Sequence, residues 1–211
     1  MSTHAATRTR RRSGAARRKA VLRRRLAALA AAEGVGLLAV WAMPEAKHAV
    51  REITLPLRHE DVIRQQAAAK RLDPALVAAV IYTESHFVDQ TSHAGARGLM
   101  QITPGTAHAI AQSTGGTAFT DADLATPQVN IAYGTWYLRH LLDHYQGDEV
   151  AALAAYNGGI GNVDRWRAQS GGALDVPDIP FAETRAYVTK VLATQRDYRR
   201  KYARELGYGQ G

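Results

Sequence analysis

Three prolines constrain this chain more than any other feature. Asp73-Pro74, Thr103-Pro104 and Thr126-Pro127 each set a short acceptor side chain directly before a proline. Proline suits the first turn of a helix, where its missing N–H has no partner to lose, and the preceding Asp or Thr can cap the free N–H groups. Each pair therefore reads as a helix start. Behind Pro127, Ile131, Thr135, Leu138, Leu142 and Tyr145 recur at three- and four-residue steps, which buries one face until Gly147 ends the run.

The rest of the chain has the same pattern. A helix is expected over 60–72. Asp148 can cap another that ends at Gly158-Gly159, and a Gly/Pro-rich loop covers 170–180. A last long helix carries Tyr187, Val188, Val191, Gln195, Tyr198 and Tyr202. No repeat is present, and no alternating run is long enough to make a strand. The expected class is mainly α, with a single helical domain over 60–206 and a linker over 44–59.

Charge divides the chain. The formal net charge is +8, which suggests a nucleic-acid partner. Ten of the 27 Lys/Arg fall within residues 1–25, which hold no acid, and this leaves 17 against 19 Asp/Glu over 26–211. The domain is thus near neutral, the basic residues form a disordered tail, and no nucleic-acid partner is expected. There is no cysteine, so disulfides, thiol chemistry and Cys-containing zinc sites are excluded.

Residues 26–43 are mostly apolar and lie directly after the basic tail. Eighteen helical residues span roughly 27 Å, slightly less than a hydrocarbon layer. Positive charge ahead of such a stretch directs the downstream chain outward. The segment reads as a signal anchor, or as a cleaved signal with Val40 and Ala42 before the cut. The expected location is membrane-anchored or exported, with residues 26–43 as the contact to the membrane.

On the helix after Pro74, Val77, Val80 and Ile81 make an apolar stripe whose next member, at i+7, is Glu84. Burial disfavours a charged carboxylate and raises its pKa, the state a general acid needs near neutral pH. The plainer reading is a Glu at a frayed helix end, in solvent or beside an arginine.

Further along, Gly95-Ala96-Arg97-Gly98-Leu99-Met100-Gln101-Ile102-Thr103-Pro104 joins two helices. Its paired glycines allow close approach of a ligand, and Gln101 can both donate to and accept from an N-acetyl amide. Ala154-Ala155-Tyr156-Asn157-Gly158-Gly159 ends a helix in polar groups that can face a cleft. An ordinary turn and a C-cap are the plainer readings of these two segments.

Glu84-Ser85, the Gly-Leu-Met-Gln segment, Ala-Tyr-Asn-Gly-Gly and then Glu183-Thr184-Arg185-Ala186-Tyr187-Val188 occur in that order. Together they resemble the catalytic domain of soluble-lytic-transglycosylase-type (SLT) enzymes over about residues 57–195. The resemblance implies a lysozyme-like (goose-type) helical fold with an active-site cleft. It implies peptidoglycan as the partner, cut at the β-1,4 bond between N-acetylmuramic acid and N-acetylglucosamine. By the same resemblance Glu84 is the catalytic acid and base, while Ser92, Gly98 and Gln101 hold the sugar beside the cut. Tyr156 positions Glu84 or the substrate, Asn157 shapes the same wall, and Glu183 either organises the cleft or is plain structure. Thr103 departs from the pattern, since many relatives carry a larger apolar residue there.

Most glycosidases flank the bond with two carboxylates. Here Asp89, Asp121 and Asp123 read more simply as turn or capping residues. The resemblance implies a substrate-assisted route, in which the C6 hydroxyl of the cleaved sugar closes a 1,6-anhydro ring and no water is consumed. A hydrolytic muramidase or chitinase on the same fold, or an inactive glycan-binding module, are the alternatives. No cofactor is expected. His140 and His144 lie one turn apart, but with no third ligand apparent no metal is expected either.

Overall fold

The computed structural model describes residues 54–116 and 118–209. The basic segment 1–25, the apolar segment 26–43 and the first part of the 44–59 linker lie outside the described residues. Among the described residues seven α-helices occur in order: α1 (Glu60–Lys70), α2 (Pro74–Ser85), α3 (Pro104–Thr114), α4 (Pro127–His144), α5 (Glu149–Gly158), α6 (Ile160–Gln169) and α7 (Ala182–Lys201). Short 3-10 turns at Asp121–Ala125 and Val176–Asp178 complete the elements. Pairing between extended segments among the described residues is limited to isolated bridges, Thr91 with Arg97 and Arg97 with Ile102.

All three Xaa-Pro pairs start helices. Asp73 Oδ1 accepts from the Ala75 N–H at 3.1 Å, and Thr103 Oγ1 from the Thr106 N–H at 3.2 Å. Thr126 makes no side-chain cap, so Pro127 alone marks that start. Asp148 caps α5 through Ala151 N at 3.0 Å. The first helix ends two residues before its expected limit, because Arg71 turns into the left-handed region.

α2 lies at the centre, packed along α7 and against α1. Its residues from Ala75 to Ile81 are all buried, at no more than 2% exposure. The expected apolar stripe is therefore a fully enclosed helix. Ala75, Ala78 and Ala79 are small enough for neighbours to close in from every side. On α4 the expected face is buried, from Ile131 to Tyr145.

The helix α6 has no strong start signal, since its N-cap is Gly159, yet it buries Val163 and Trp166. The compact unit begins at Leu55, which is buried and accepts from the Tyr202 hydroxyl at 2.6 Å. Asp73 also ties the start of α2 to the C-terminal segment. It accepts from Gln195 at 2.8 Å, from Arg199 at 2.5 Å and from the Tyr208 hydroxyl.

Candidate active site

Glu84 stands on the last turn of α2, half-buried. Its Oε1 accepts a 2.8 Å hydrogen bond from the Tyr187 hydroxyl on α7. Burial pushes the Glu84 carboxyl up to about 7, against the opposing pull of the Tyr187 bond and the Lys190 charge. A group of this kind holds its proton in a large share of molecules near neutral pH and can also give it up. Tyr187 itself is buried, and its phenol is held well above the ordinary range by that burial and by the charge of Glu84.

Beneath the helix end, Ser85 is buried and donates to the carbonyls of Ile81 at 3.1 Å and Leu99 at 2.8 Å. The second bond pins the Gly-Leu-Met-Gln loop to the residue next to Glu84. Asn130, wholly buried on α4, finishes the fixation from the other side. Its Oδ1 accepts from Met100 N at 2.7 Å, and its Nδ2 donates to the carbonyls of Arg97 at 2.9 Å and Leu124 at 3.0 Å. Gly98 has φ +75°, and a Cβ there would meet Asn130 Nδ2 at 2.1 Å. Glycine is thus required twice, for its backbone conformation and for the close approach.

The same loop holds Ser92, whose Oγ accepts from Ala96 N at 3.1 Å. Gln101, with φ +48°, donates through Nε2 to the carbonyls of Gln90 at 3.0 Å and Gly98 at 2.8 Å. Its donor side, expected to be free for an N-acetyl group, is spent inside the loop, which leaves the amide oxygen as acceptor. Thr103 serves as the cap of α3.

Tyr156 differs from its expected role toward the acid. Its hydroxyl donates to the Met100 carbonyl at 2.8 Å, and the direct partner of Glu84 is Tyr187. Tyr156 still lies near enough for the Glu84 charge to add to the burial that raises its phenol. Asn157 is exposed and accepts from the Thr184 hydroxyl at 2.8 Å. Glu183, exposed on the first turn of α7, lines a cavity of about 570 Å³ together with Asn157, Phe181 and Thr184. The structure therefore places the expected residues in three groups, Glu84, the Ser92–Gly98–Gln101 loop with Tyr156 bonded to it, and the Asn157–Glu183 pocket, and adds Tyr187 as the partner of Glu84.

Of the other candidate carboxylates, Asp89 is exposed, and Asp121 and Asp123 are engaged elsewhere. Asp121 faces His108 at 3.0 Å, and Asp123 holds the Thr120 N–H and hydroxyl at 2.7 and 2.9 Å. His144 pairs with Asp164 at 3.2 Å, while His140 stacks on Trp136.

A helical domain that keeps one half-buried, proton-holding carboxyl at a helix end above a pinned loop is lysozyme-like in kind. Comparison with known proteins narrows this class. Residues 61–177 match the Transglycosylase SLT domain family. The soluble lytic murein transglycosylase of Escherichia coli is 35% identical over 154 residues, which cover 70% of this chain and 24% of that protein. The crystal structure of the 70 kDa soluble lytic transglycosylase from Escherichia coli superposes with a TM-score of 0.68 at 32% identity, covering 75% of this chain and 27% of that one. An inactive glutamate-to-glutamine mutant of the lytic transglycosylase Slt from Pseudomonas aeruginosa gives 0.67 at 32% identity, covering 72% and 26%. The chain thus spans about a quarter of the length of these relatives. It belongs to the SLT transglycosylase family.

Proposed function

We propose that this chain is a lytic transglycosylase, cutting the β-1,4 bond between N-acetylmuramic acid and N-acetylglucosamine in peptidoglycan. One observation carries the reading: a half-buried carboxyl that accepts from a buried tyrosine and whose pKa burial pushes up to about 7. The inactive glutamate-to-glutamine mutant of the Pseudomonas relative supports the idea that such an enzyme depends on one glutamate.

In this reading protonated Glu84 gives its proton to the glycosidic oxygen as the bond breaks. The sugar's own N-acetyl oxygen stabilises the cationic anomeric carbon. The Glu84 carboxylate then takes the proton of the C6 hydroxyl, whose oxygen closes on the anomeric carbon as a 1,6-anhydro ring. Glu84 ends protonated, and no water is used. Substrate participation of this kind is a recognised exception to the two-carboxylate scheme. Tyr187 orients the acid. Ser92, Gly98 and the Gln101 oxygen line the approach of the sugar, with Tyr156, Asn157 and Glu183 along the opposite wall.

Residues 26–43 anchor the chain or direct its export, with 1–25 on the cytoplasmic side and the domain outside. Fractionation of the full-length protein tests this half, and recovery only from the cytosol would end it. A zymogram on purified cell wall tests the activity. Wild type should clear the wall, whereas Glu84→Gln should lose at least roughly 10²-fold. Retention of more than about a tenth of the activity by Glu84→Gln would remove it from the role of acid.

A further inference from the structure

Away from Glu84, helices α3 and α4 enclose a cavity of about 370 Å³. Trp136 and His140, one turn apart on α4, both line it, with ring planes 7° apart and centroids 5.3 Å apart. Thr106 and Ser113 bring hydroxyls from α3, and Ala109 adds a small apolar surface. No carboxylate, lysine or arginine lines the space, so no fixed charge there favours an ionic ligand over a neutral one.

The polar groups there still have capacity. The indole N–H of the half-buried Trp136 has no hydrogen-bond partner among the described residues, and the exposed His140 ring makes only its stack. Thr106 accepts from Thr103 and keeps its own proton to donate, while Ser113 donates to Ala109 and keeps its lone pairs. An outer face of this aromatic stack, edged by unused donors and acceptors, matches a pyranose ring. Such a ring presents C–H groups on its faces and hydroxyls at its rim, and the negative aromatic face attracts those C–H groups.

The cavity is linked to the candidate active site by packed side chains. Tyr137 lines it and packs on Tyr156 with centroids 5.4 Å apart. Tyr156 in turn holds the Met100 carbonyl and feels the charge of Glu84. Gly105, also at the cavity, comes directly after the Thr103-Pro104 end of the pinned loop.

We propose that the Trp136–His140 cavity is a second glycan-holding site, which takes one neutral N-acetylhexosamine unit of a β-1,4-linked strand engaged at Glu84. The proposal rests on the glycan-cleaving reading for its choice of strand. The stacked rings carry one face of the sugar, and the methyl of the acetyl group lies against Ala109. A strand long enough to reach both places is held better than a short one.

Two measurements on the full-length protein test this. In the first, cleavage of long uncrosslinked glycan strands is compared with that of the shortest oligosaccharide the enzyme cuts. Trp136→Ala should raise KM for long strands and reduce the preference for long over short by roughly fivefold to tenfold, about one aromatic stack. Trp136→Phe should keep most of the preference. An equal loss on both lengths, or no loss, would overturn the proposal. If Trp136→Ala fails to fold, His140→Ala, at an exposed position, carries the same comparison. In the second, chitohexaose is titrated into the Glu84→Gln protein while tryptophan fluorescence is monitored. A change that disappears in Glu84→Gln/Trp136→Phe is expected, and an undiminished change would overturn the site. A wild type that cleaves no glycan would end the activity reading, yet the titration would still decide the site alone.

Discussion

The Tyr187 hydroxyl donates to Glu84 Oε1 at 2.8 Å, joining groups 103 residues apart in the chain. The bond favours the charged carboxylate and so opposes the burial that raises its pKa. Tyr187→Phe keeps the packing and removes the donor. The pKa of Glu84 should then rise above about 7, which moves the alkaline limb of the pH–activity profile upward. Loss of orientation should lower kcat roughly tenfold, in line with one hydrogen bond to a charged group. An unmoved or lowered alkaline limb would contradict this coupling.

Glu84 also weakens the fold it serves. An unfolded glutamate titrates near pH 4.3, whereas in the folded protein Glu84 holds its proton up to about 7. Between these values the unfolded chain has released a proton that the folded chain retains, so stability falls as pH rises through that window. Glu84→Gln has no charge to bury and can still accept from Tyr187. It should be more stable than wild type above pH 7 by about 3 to 4 kcal/mol, with the difference fading below pH 4. Denaturant titrations at pH 4 and pH 8 check this, and a difference independent of pH would contradict it.

Gly98→Ala should be severe. The new Cβ would sit 2.1 Å from Asn130 Nδ2 and 2.5 Å from the Leu124 carbonyl, at φ +75°. Either Asn130 leaves its three bonds or the loop lifts off α4. A loss of about 3 kcal/mol or more is expected, measurable by thermal unfolding. Near-wild-type stability would show that the loop has room to yield.

Much of this is legible in the sequence because local rules govern it. The Xaa-Pro starts, the buried face of α4 and the cap at Asp148 all depend on neighbours within a few residues. Glu84 is legible because a carboxyl continues an apolar run on a single helix. Features that escape a sequence reading depend on tertiary contact. Tyr187 reads as one more packing residue until α7 is laid along α2, where its hydroxyl meets the acid. Asn130 sits in a helical run with nothing to mark three bonds to loops up to 33 residues away. The helix α6 starts at a glycine without a side-chain cap, so only packing around Trp166 identifies it. Motif order reads Tyr156 as positioning Glu84 or the substrate and leaves out its bond to the Met100 carbonyl, because it does not say where a hydroxyl points.

The N-terminal edge of the domain gives a sharper truncation. Leu55 is buried, and the carbonyls of Leu55 and Pro56 accept from the Tyr202 and Tyr198 hydroxyls. A chain starting at residue 54 should fold and keep glycan cleavage. One starting at residue 60 loses an apolar anchor and the backbone carbonyls to which two buried hydroxyls donate, at a cost of about 3 kcal/mol or more. Equal melting temperatures for the two would show that residues 55–59 contribute nothing.

The products of peptidoglycan digestion test the central claim most directly. The Tyr187 hydroxyl bonds Glu84, while Asp121 and Asp123 have partners of their own in His108 and Thr120. With one acid in place, the nearest nucleophile is the C6 hydroxyl of the sugar itself, which starts with a large effective concentration. Mass spectrometry of muropeptides released by the purified protein should find 1,6-anhydro ends, one water lighter than hydrolysis products. Reducing ends as the main product would contradict the account, because they show that water and not the C6 hydroxyl attacks the anomeric carbon.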